Sequence, residues 1–127
     1  MLSKSSIRLT GKKIGKSAVG KVTGLSQYYR KDDLERLEIW VDKKVAGPLP
    51  CQDNLRIPVQ LKIGDQVYTA GLRSTPRNSY VWICPDLEDS RGKKARLAEV
   101  LGANGFEKNQ EVLLEVEKRN IYLSPHV

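Results

Sequence analysis

The sequence predicts a mainly β protein, a seven-stranded open β-barrel with two short helices, for three reasons. Apolar and polar residues alternate from Ile57 to Ile63, which is the period of a strand with one buried face. The pair Gly64-Asp65 then favours a hairpin turn, and the run YVWIC at 80–84 is apolar enough for a barrel interior. A chain of 127 residues with 39% apolar side chains suffices for one core, so residues 1–127 are expected to form a single domain.

The first part of the chain is predicted to contain two strands, a basic loop and a helix. Strands are expected at residues 6–10 and 21–25, and the glycines of the intervening GKKIGKSAVG favour a loop. Asp32 or Asp33 can cap a short helix, although the run LEIWV at 37–41 fits an extended strand equally well. The segment AGPLPCQDN ends this element because its prolines and its Asp-Asn pair are typical of a loop.

The rest of the chain is predicted to form a meander of three strands, a helix and a terminal hairpin. The meander comprises residues 57–63, 66–72 and 80–84, and the hairpin comprises residues 111–116 and 120–123. Between them, Ser90 is expected to cap a helix with Gly102 at its C-terminal cap. The apolar stripe of this helix is Leu97, Ala98 and Leu101.

The charge of the chain is unevenly distributed. Residues 1–30 contain seven Lys or Arg and no acidic residue, whereas the remainder carries fifteen of each sign. The whole net charge of +7 therefore lies in the first quarter of the sequence. A solvated basic tail would also explain this pattern, but apolar residues and glycines alternate with the lysines. A structured basic loop indicates a polyanionic ligand, and nucleic acid is the leading candidate.

A second segment without acidic residues runs between Asp65 and Asp86. The tip of its predicted hairpin reads RSTPRN, at residues 73–78. Arginine can donate two hydrogen bonds to guanine, asparagine can pair with adenine, and Ser or Thr can bond to bases or phosphates. Turn formation alone would also explain Ser, Thr, Pro and Asn at these positions. The coincidence of two basic loops in one domain favours nucleic-acid binding.

No catalytic residue, cofactor or metal site is predicted. Cys51 and Cys84 fit no zinc or redox spacing and are expected to be reduced thiols, and His126 lies next to the end of the chain. No signal sequence or membrane span is evident, so a cytoplasmic location is expected. The segment GKKIGKS has three residues between its glycines, whereas the phosphate-binding loop requires four.

Two other functions stay open as alternatives. Asp42 and Lys44 have the D-x-K spacing of magnesium-dependent nucleases, although a solvated turn explains them more simply. A small RNA-binding or ribosomal-type β-barrel is the other alternative. It would expose aromatic side chains that stack on unpaired bases, whereas most aromatic residues here fall in predicted core strands.

Four segments in order resemble the B3-type DNA-binding pseudobarrel. They are RLTGKKIGKSAVGKVTGL at 8–25, DDLERL at 32–37, GLRSTPRNSYVWIC at 71–84 and GFEKNQEVLLEV at 105–116. This family occurs in plant transcription factors and in recognition domains of restriction endonucleases such as EcoRII and BfiI. The plant aromatic residues before the second arm are absent, so the restriction branch is the closer match. The segment LEIWVDKKVAGPLPCQDN at 37–54 has no evident counterpart in the family pattern.

The resemblance implies that two arms grip the major groove of double-stranded DNA. The first arm would contribute Lys12, Lys13, Lys16 and Ser17, with Lys21 behind it, and the second arm would contribute Arg73, Ser74, Thr75, Arg77 and Asn78. Lysines suit phosphates, while the arginines and the asparagine suit base edges. The expected function is sequence-specific recognition without catalysis. The nuclease of the restriction enzyme would lie in a fused or partner domain.

Overall fold

The computed structural model describes residues 16–24 and 36–126. These residues form nine strands in one continuous sheet and a single α-helix. The elements are β1 Lys16–Gly24, β2 Leu37–Asp42, β3 Arg56–Ile63, β4 Gln66–Arg73, β5 Tyr80–Ile83, β6 Asp86–Glu88, β7 Lys94–Arg96, α1 Leu97–Ala103, β8 Glu111–Glu117 and β9 Asn120–Pro125. The strand predicted at 6–10, the lysines at 12 and 13, and the start of the helix predicted from Asp32 lie outside the described residues.

Seven of these strands close into a barrel in the order β3-β9-β8-β1-β2-β5-β4, and β4 then pairs with β3. All neighbours are antiparallel except β3 and β9, which are parallel. The prediction of a mainly β barrel is therefore confirmed, but the barrel is closed rather than open, and the described residues contain one α-helix rather than the two that were predicted. Closure follows from β3, which pairs with β4 on one side and β9 on the other and so leaves no free edge.

The inward-facing residues of the strands fill the barrel interior and form the core. In β3, Val59, Leu61 and Ile63 are buried while Pro58 and Gln60 are exposed, as the sequence predicted. In β1 the inward positions are Ala18, Gly20 and Val22. Residues 16–20, predicted as loop, thus belong to a strand that pairs with β8 from Lys16 to Lys21. Gly20 occurs here because the barrel wall leaves no room for a side chain: a Cβ would lie 2.9 Å from the carbonyl oxygen of Trp40.

The run LEIWV is extended and forms β2, so it is not helical. A short 3-10 turn, Lys43–Val45, follows it. The helix predicted from Ser90 was placed too early, because α1 begins at Leu97 and residues 94–96 form β7. The side chain of Asp89 accepts hydrogen bonds from the backbone N–H groups of Arg91 and Lys93, 2.9 Å each, and this turn chemistry turns β6 back into β7.

Helix α1 packs against β2 and β7 and buries Leu97, Val100 and Leu101. Gly102 lies inside the helix, and Asn104, rather than Gly102, is the C-cap. The Asn104 side chain reaches the Gly64 turn between β3 and β4, which places the helix at that end of the barrel. The loops at the opposite end are therefore free of helical cover within the described residues.

Cys51 and Cys84 are both free thiols, as the sequence predicted. Cys84 is buried directly after β5, and burial is the main cause that raises the pKa of its thiol. In the described part of the chain, no helix is long and apolar enough to cross a membrane.

Candidate nucleic-acid interface

The start of β1, with Lys16 and Ser17, and residues 73–78 lie at the same end of the barrel. Antiparallel pairing puts the start of β1, the end of β2, the start of β5, the end of β4 and the start of β3 at one end. The turn between β8 and β9 lies at this end too, because Lys16 at the start of β1 pairs with Val116 near the end of β8. This end lies opposite α1. It brings together segments that are far apart in the sequence, and we call it the basic end: residues 16–17, 42–44, 53–56, 73–79 and 117–119.

The basic end carries eight basic and three acidic residues. The basic residues are Lys16, Lys43, Lys44, Arg56, Arg73, Arg77, Lys118 and Arg119, and the acidic residues are Asp42, Asp53 and Glu117. Two of the acids are already engaged within the fold. The carboxylate of Asp42 accepts a hydrogen bond of 2.8 Å from the Lys44 backbone, and that of Asp53 accepts one from the Ser74 hydroxyl. The surface potential here is therefore positive, which attracts polyanions.

Residues 73–78, the arginine loop, are braced at their base by another loop. Ser74 is only 3% exposed, and its hydroxyl donates to Asp53. The Asn54 N–H donates to the Ser74 carbonyl at 2.8 Å, and the Lys43 ammonium donates to the Thr75 carbonyl at 2.6 Å. Lys43 also lies 3.9 Å from Asp53. The predicted site residues Ser74 and Thr75 therefore shape the loop through bonds made inside the protein.

The other predicted residues of the arginine loop face solvent. Arg73 and Arg77 are exposed and Asn78 is partly exposed. The Asn78 backbone N–H donates to the Thr75 carbonyl at 3.3 Å and closes the tip of the loop. Within the described residues, no hydrogen bond or ion pair engages the side chains of Arg77 and Asn78. Their donors and acceptors are available to a ligand.

The predicted first-arm residues are split between the basic end and the barrel wall. Lys16 and Ser17 are exposed at the start of β1, next to the turn between β8 and β9. Lys21 is exposed on the outer wall, opposite Trp40 on one side and Glu111 on the other. Lys12 and Lys13 lie outside the described residues. Lys16 and Ser17 thus share an end of the barrel with Arg77 and Asn78.

The structure also brings out a cluster that the sequence reasoning missed. Trp40, Tyr80 and Trp82 lie in barrel strands but on their outer face, partly exposed. The rings of Trp40 and Tyr80 stack with centroids 3.8 Å apart and an interplanar angle of 9°, and Trp82 is tilted at 5.7 Å from Tyr80. Alternation within LEIWV would have predicted this, since Leu37, Ile39 and Val41 take the inward positions.

Glu38 fixes one ring of this cluster. Its carboxylate accepts a hydrogen bond of 2.8 Å from the indole N–H of Trp40, and the residue is 9% exposed. Burial raises the pKa of Glu38, although the indole bond and the nearby Arg36 oppose this effect. Burial, together with the charge of Glu38, also raises the pKa of the Tyr80 phenol. Trp40 is thus held in one orientation by a buried acid.

The residues of the nuclease alternative have a structural role. Asp42 caps the 3-10 turn through the Lys44 backbone, so its carboxylate is turned toward its own chain. Within residues 16–24 and 36–126, no group of three or more His, Cys, Asp or Glu side chains is arranged to hold a metal ion. A groove of about 830 Å³ lies between β4 and the β6–β7 hairpin, and its lining mixes both charge signs, including Arg56, Asp86, Glu88 and Arg96. Such a mixture indicates no particular ligand class.

Comparison of the chain with protein-family models, with curated proteins and with solved structures found no match. The function is therefore inferred from the basic end and its arginine loop.

Proposed function

We propose that this chain is a sequence-specific double-stranded DNA-binding domain that applies its basic end to the major groove. The observation that carries the proposal is the arginine loop. Arg77 and Asn78 are the fork-shaped side chains that base edges require. They have no side-chain partner among the described residues and lie at the tip of a loop whose base is braced. The eight cations of the basic end supply the attraction to phosphates.

The division between base and phosphate contacts follows from side-chain chemistry. Lys16, Lys44 and Lys118 are exposed point charges on flexible stems, which suit phosphate oxygens. Arg77 has a planar fork that matches guanine O6 and N7, and the amide of Asn78 matches adenine N6 and N7. Since the loop base is held by Ser74 and Thr75, little conformational entropy is lost when the tip enters a groove.

The resemblance to the B3-type pseudobarrel supports the same assignment. In that family, two arms act from one end of the barrel, and Lys16 and Ser17 share an end with the arginine loop here. We extend the proposal accordingly. The domain is the recognition module of a restriction endonuclease, has no catalysis of its own, and works with a nuclease carried by a fused or partner domain.

The test begins with selection of bound duplexes from a random oligonucleotide pool, which defines a preferred sequence. Affinities of wild type and Arg77→Lys are then measured for the preferred and a scrambled duplex at one salt concentration. Loss of the fork should weaken binding to the preferred duplex by roughly 1–3 kcal/mol and to the scrambled duplex by much less. Arg91→Lys is the matched control, because Arg91 is an exposed arginine in the turn between β6 and β7. No enriched sequence, or equal losses on both duplexes, would contradict specific readout by this loop.

The phosphate contacts are tested through salt. Each lysine that touches a phosphate contributes about 0.9 to the slope of log affinity against log salt, so Lys16→Ala with Lys44→Ala should flatten the slope by nearly two units. An unchanged slope would remove these lysines from the interface.

A further inference from the structure

We propose that the outer face of β1, β2, β5 and β4 binds unpaired bases of single-stranded DNA. This surface, the aromatic face, consists of Lys21, Trp40, Tyr80, Trp82 and Arg73. The proposal rests on the proposed DNA binding of the basic end, because the aromatic face continues from it. It adds a second mode of recognition, for bases that are not paired in a duplex.

The register of the strands aligns four side chains across the aromatic face. Lys21 pairs with Trp40, Trp40 with Trp82, and Trp82 with Arg73. Residues directly opposite each other in antiparallel strands project to the same side of a sheet. The four side chains therefore form one row across the barrel wall, with two tryptophans in the middle and a cation at each end.

The geometry of the three rings suits the stacking of unpaired bases. Tyr80 stacks on Trp40, and Trp82 is inclined beside it, so the three rings form a continuous aromatic surface. The bond from the Trp40 indole to buried Glu38 holds that ring in place before any ligand arrives. Preorganised aromatic rings are the platforms on which unpaired bases stack, and the interaction tolerates any sequence because every base has a π-face.

The charges around the rings suit a polyanionic strand. Lys21 and Arg73 are exposed and flank the rings, whereas Glu38 is buried and bonded to Trp40. The exposed Glu111 lies on the side of Lys21 that is away from the rings. At the edge of the face, the Asp42 carboxylate is occupied by the Lys44 backbone. Three inter-strand steps of about 4.8 Å separate Lys21 from Arg73, or about 14 Å. This span is about four times the 3.4 Å rise of a stacked strand, so both cations can meet phosphates of one bound segment.

Continuity with the basic end identifies the occupant as DNA. Arg73 is both the last residue of β4 and the first residue of the arginine loop. A strand that leaves a duplex held by the arginine loop therefore passes onto the aromatic face at Arg73. Duplex DNA, whose bases are stacked inside the helix, offers no free base face to the tryptophans.

Fluorescence gives a direct test, because Trp40 and Trp82 are the only tryptophans in the 127 residues. The probe is an oligothymidine of about twelve nucleotides, within the usual site size for single strands. We expect saturable quenching of tryptophan emission. Trp82→Ala should weaken binding, measured by anisotropy of a labelled probe, by about 5- to 150-fold, while Trp82→Phe should retain most of the affinity.

The matched control is Tyr122→Ala. Tyr122 is an exposed aromatic residue on β9, 43% exposed and close to a lysine, Lys62, yet it lies outside the aromatic face. Its removal should leave the oligothymidine affinity unchanged. Melting curves of all variants verify that they are folded. If Trp82→Ala unfolds the protein, the comparison uses Lys21→Ala, which should weaken binding several-fold.

Three results would overturn the proposal: no quenching by oligothymidine, equal affinity of Trp82→Ala and wild type, or tighter binding of the matching oligouridine, which would assign the face to RNA. Failure of the proposed duplex binding is detected by a separate measurement, the effect of Arg77→Lys on the preferred duplex. Arg77→Lys should weaken binding to the preferred duplex but not to oligothymidine. A protein that binds the duplex and ignores the single strand would refute only the role of the aromatic face.

Discussion

Replacing Ser74 by alanine removes one hydroxyl group from the base of the arginine loop. In the folded protein Ser74 is 3% exposed, and its hydroxyl donates a hydrogen bond to the carboxylate of Asp53. The backbone bonds from Asn54 to Ser74 and from Lys43 to Thr75 are not altered by the substitution. The change therefore isolates a single contact between two loops that are 21 residues apart in the sequence.

The size of the effect follows from the charge and exposure of the partner. A hydrogen bond to a charged group contributes about 1.5–3 kcal/mol, and more when the abandoned partner is buried. The Asp53 side chain is 49% exposed, so water replaces the lost hydroxyl in part. We therefore expect Ser74→Ala to lower the free energy of unfolding by about 1–2 kcal/mol. The ion pair of Asp53 with Lys43, at 3.9 Å and partly exposed, should contribute less than about 1 kcal/mol.

Urea unfolding of wild type, Ser74→Ala, Asp53→Asn and the double variant measures the coupling directly. Ser79→Ala is the control, because Ser79 is exposed and lies next to the arginine loop. Ser74→Ala should also weaken binding to the preferred duplex, since a less ordered loop pays more entropy on binding. A stability change below about 0.5 kcal/mol with no coupling to Asp53 would refute the view that this contact braces the loop.

Two further predictions concern stability. Gly20→Ala should lower the free energy of unfolding in urea by about 1–3 kcal/mol, because the added Cβ would lie 2.9 Å from the Trp40 carbonyl oxygen. Gly102→Ala should raise it by about 0.5–1 kcal/mol, because Gly102 lies in a helix and has open space around it. The pKa of Glu38 is raised, so the folded state binds the Glu38 proton more tightly than the unfolded chain does. The contribution of Glu38 to stability is therefore largest below the ordinary glutamate pKa, and it falls as pH rises through the raised pKa. Glu38→Gln, which keeps an oxygen for the indole N–H, should lessen that fall in unfolding curves across this pH range; an unchanged pH dependence would show that Glu38 does not contribute to it.

Local patterns in the sequence predicted the hairpins well. The alternation from Ile57 to Ile63 and the Gly64-Asp65 turn correctly predicted β3 and β4, since side-chain period and turn chemistry are set by neighbouring residues. Gly64 has the positive φ of 59° that this turn requires. Barrel closure was not predictable in the same way. The parallel pairing of β3 with β9 joins residues about 60 positions apart, for example Gln60 with Asn120, and no periodicity specifies it.

Composition pointed to the arginine loop, but it could not separate the residues that are exposed to a ligand from those that support the loop. Ser74 and Arg77 are both polar residues in one loop, yet one is buried against Asp53 and the other is exposed. That distinction depends on Lys43 and Asp53, which come from an earlier segment. The tryptophans were misassigned to the core because their strands are apolar, although every second position of a barrel strand faces outward.

The segment without a counterpart in the B3-type pattern, residues 37–54, explains how the arginine loop can be both short and ordered. It supplies Lys43 and Asp53, which bond to the backbone of Thr75 and the hydroxyl of Ser74. It also supplies Trp40, whose ring stacks on Tyr80 just beyond the loop. With the loop base held in this way, the side chains of Arg77 and Asn78 have no hydrogen-bond or ion-pair partner within residues 16–24 and 36–126 and remain available to a ligand. Under the proposed DNA binding, substitutions in this segment should therefore alter the affinity indirectly, by changing how firmly the loop base is held.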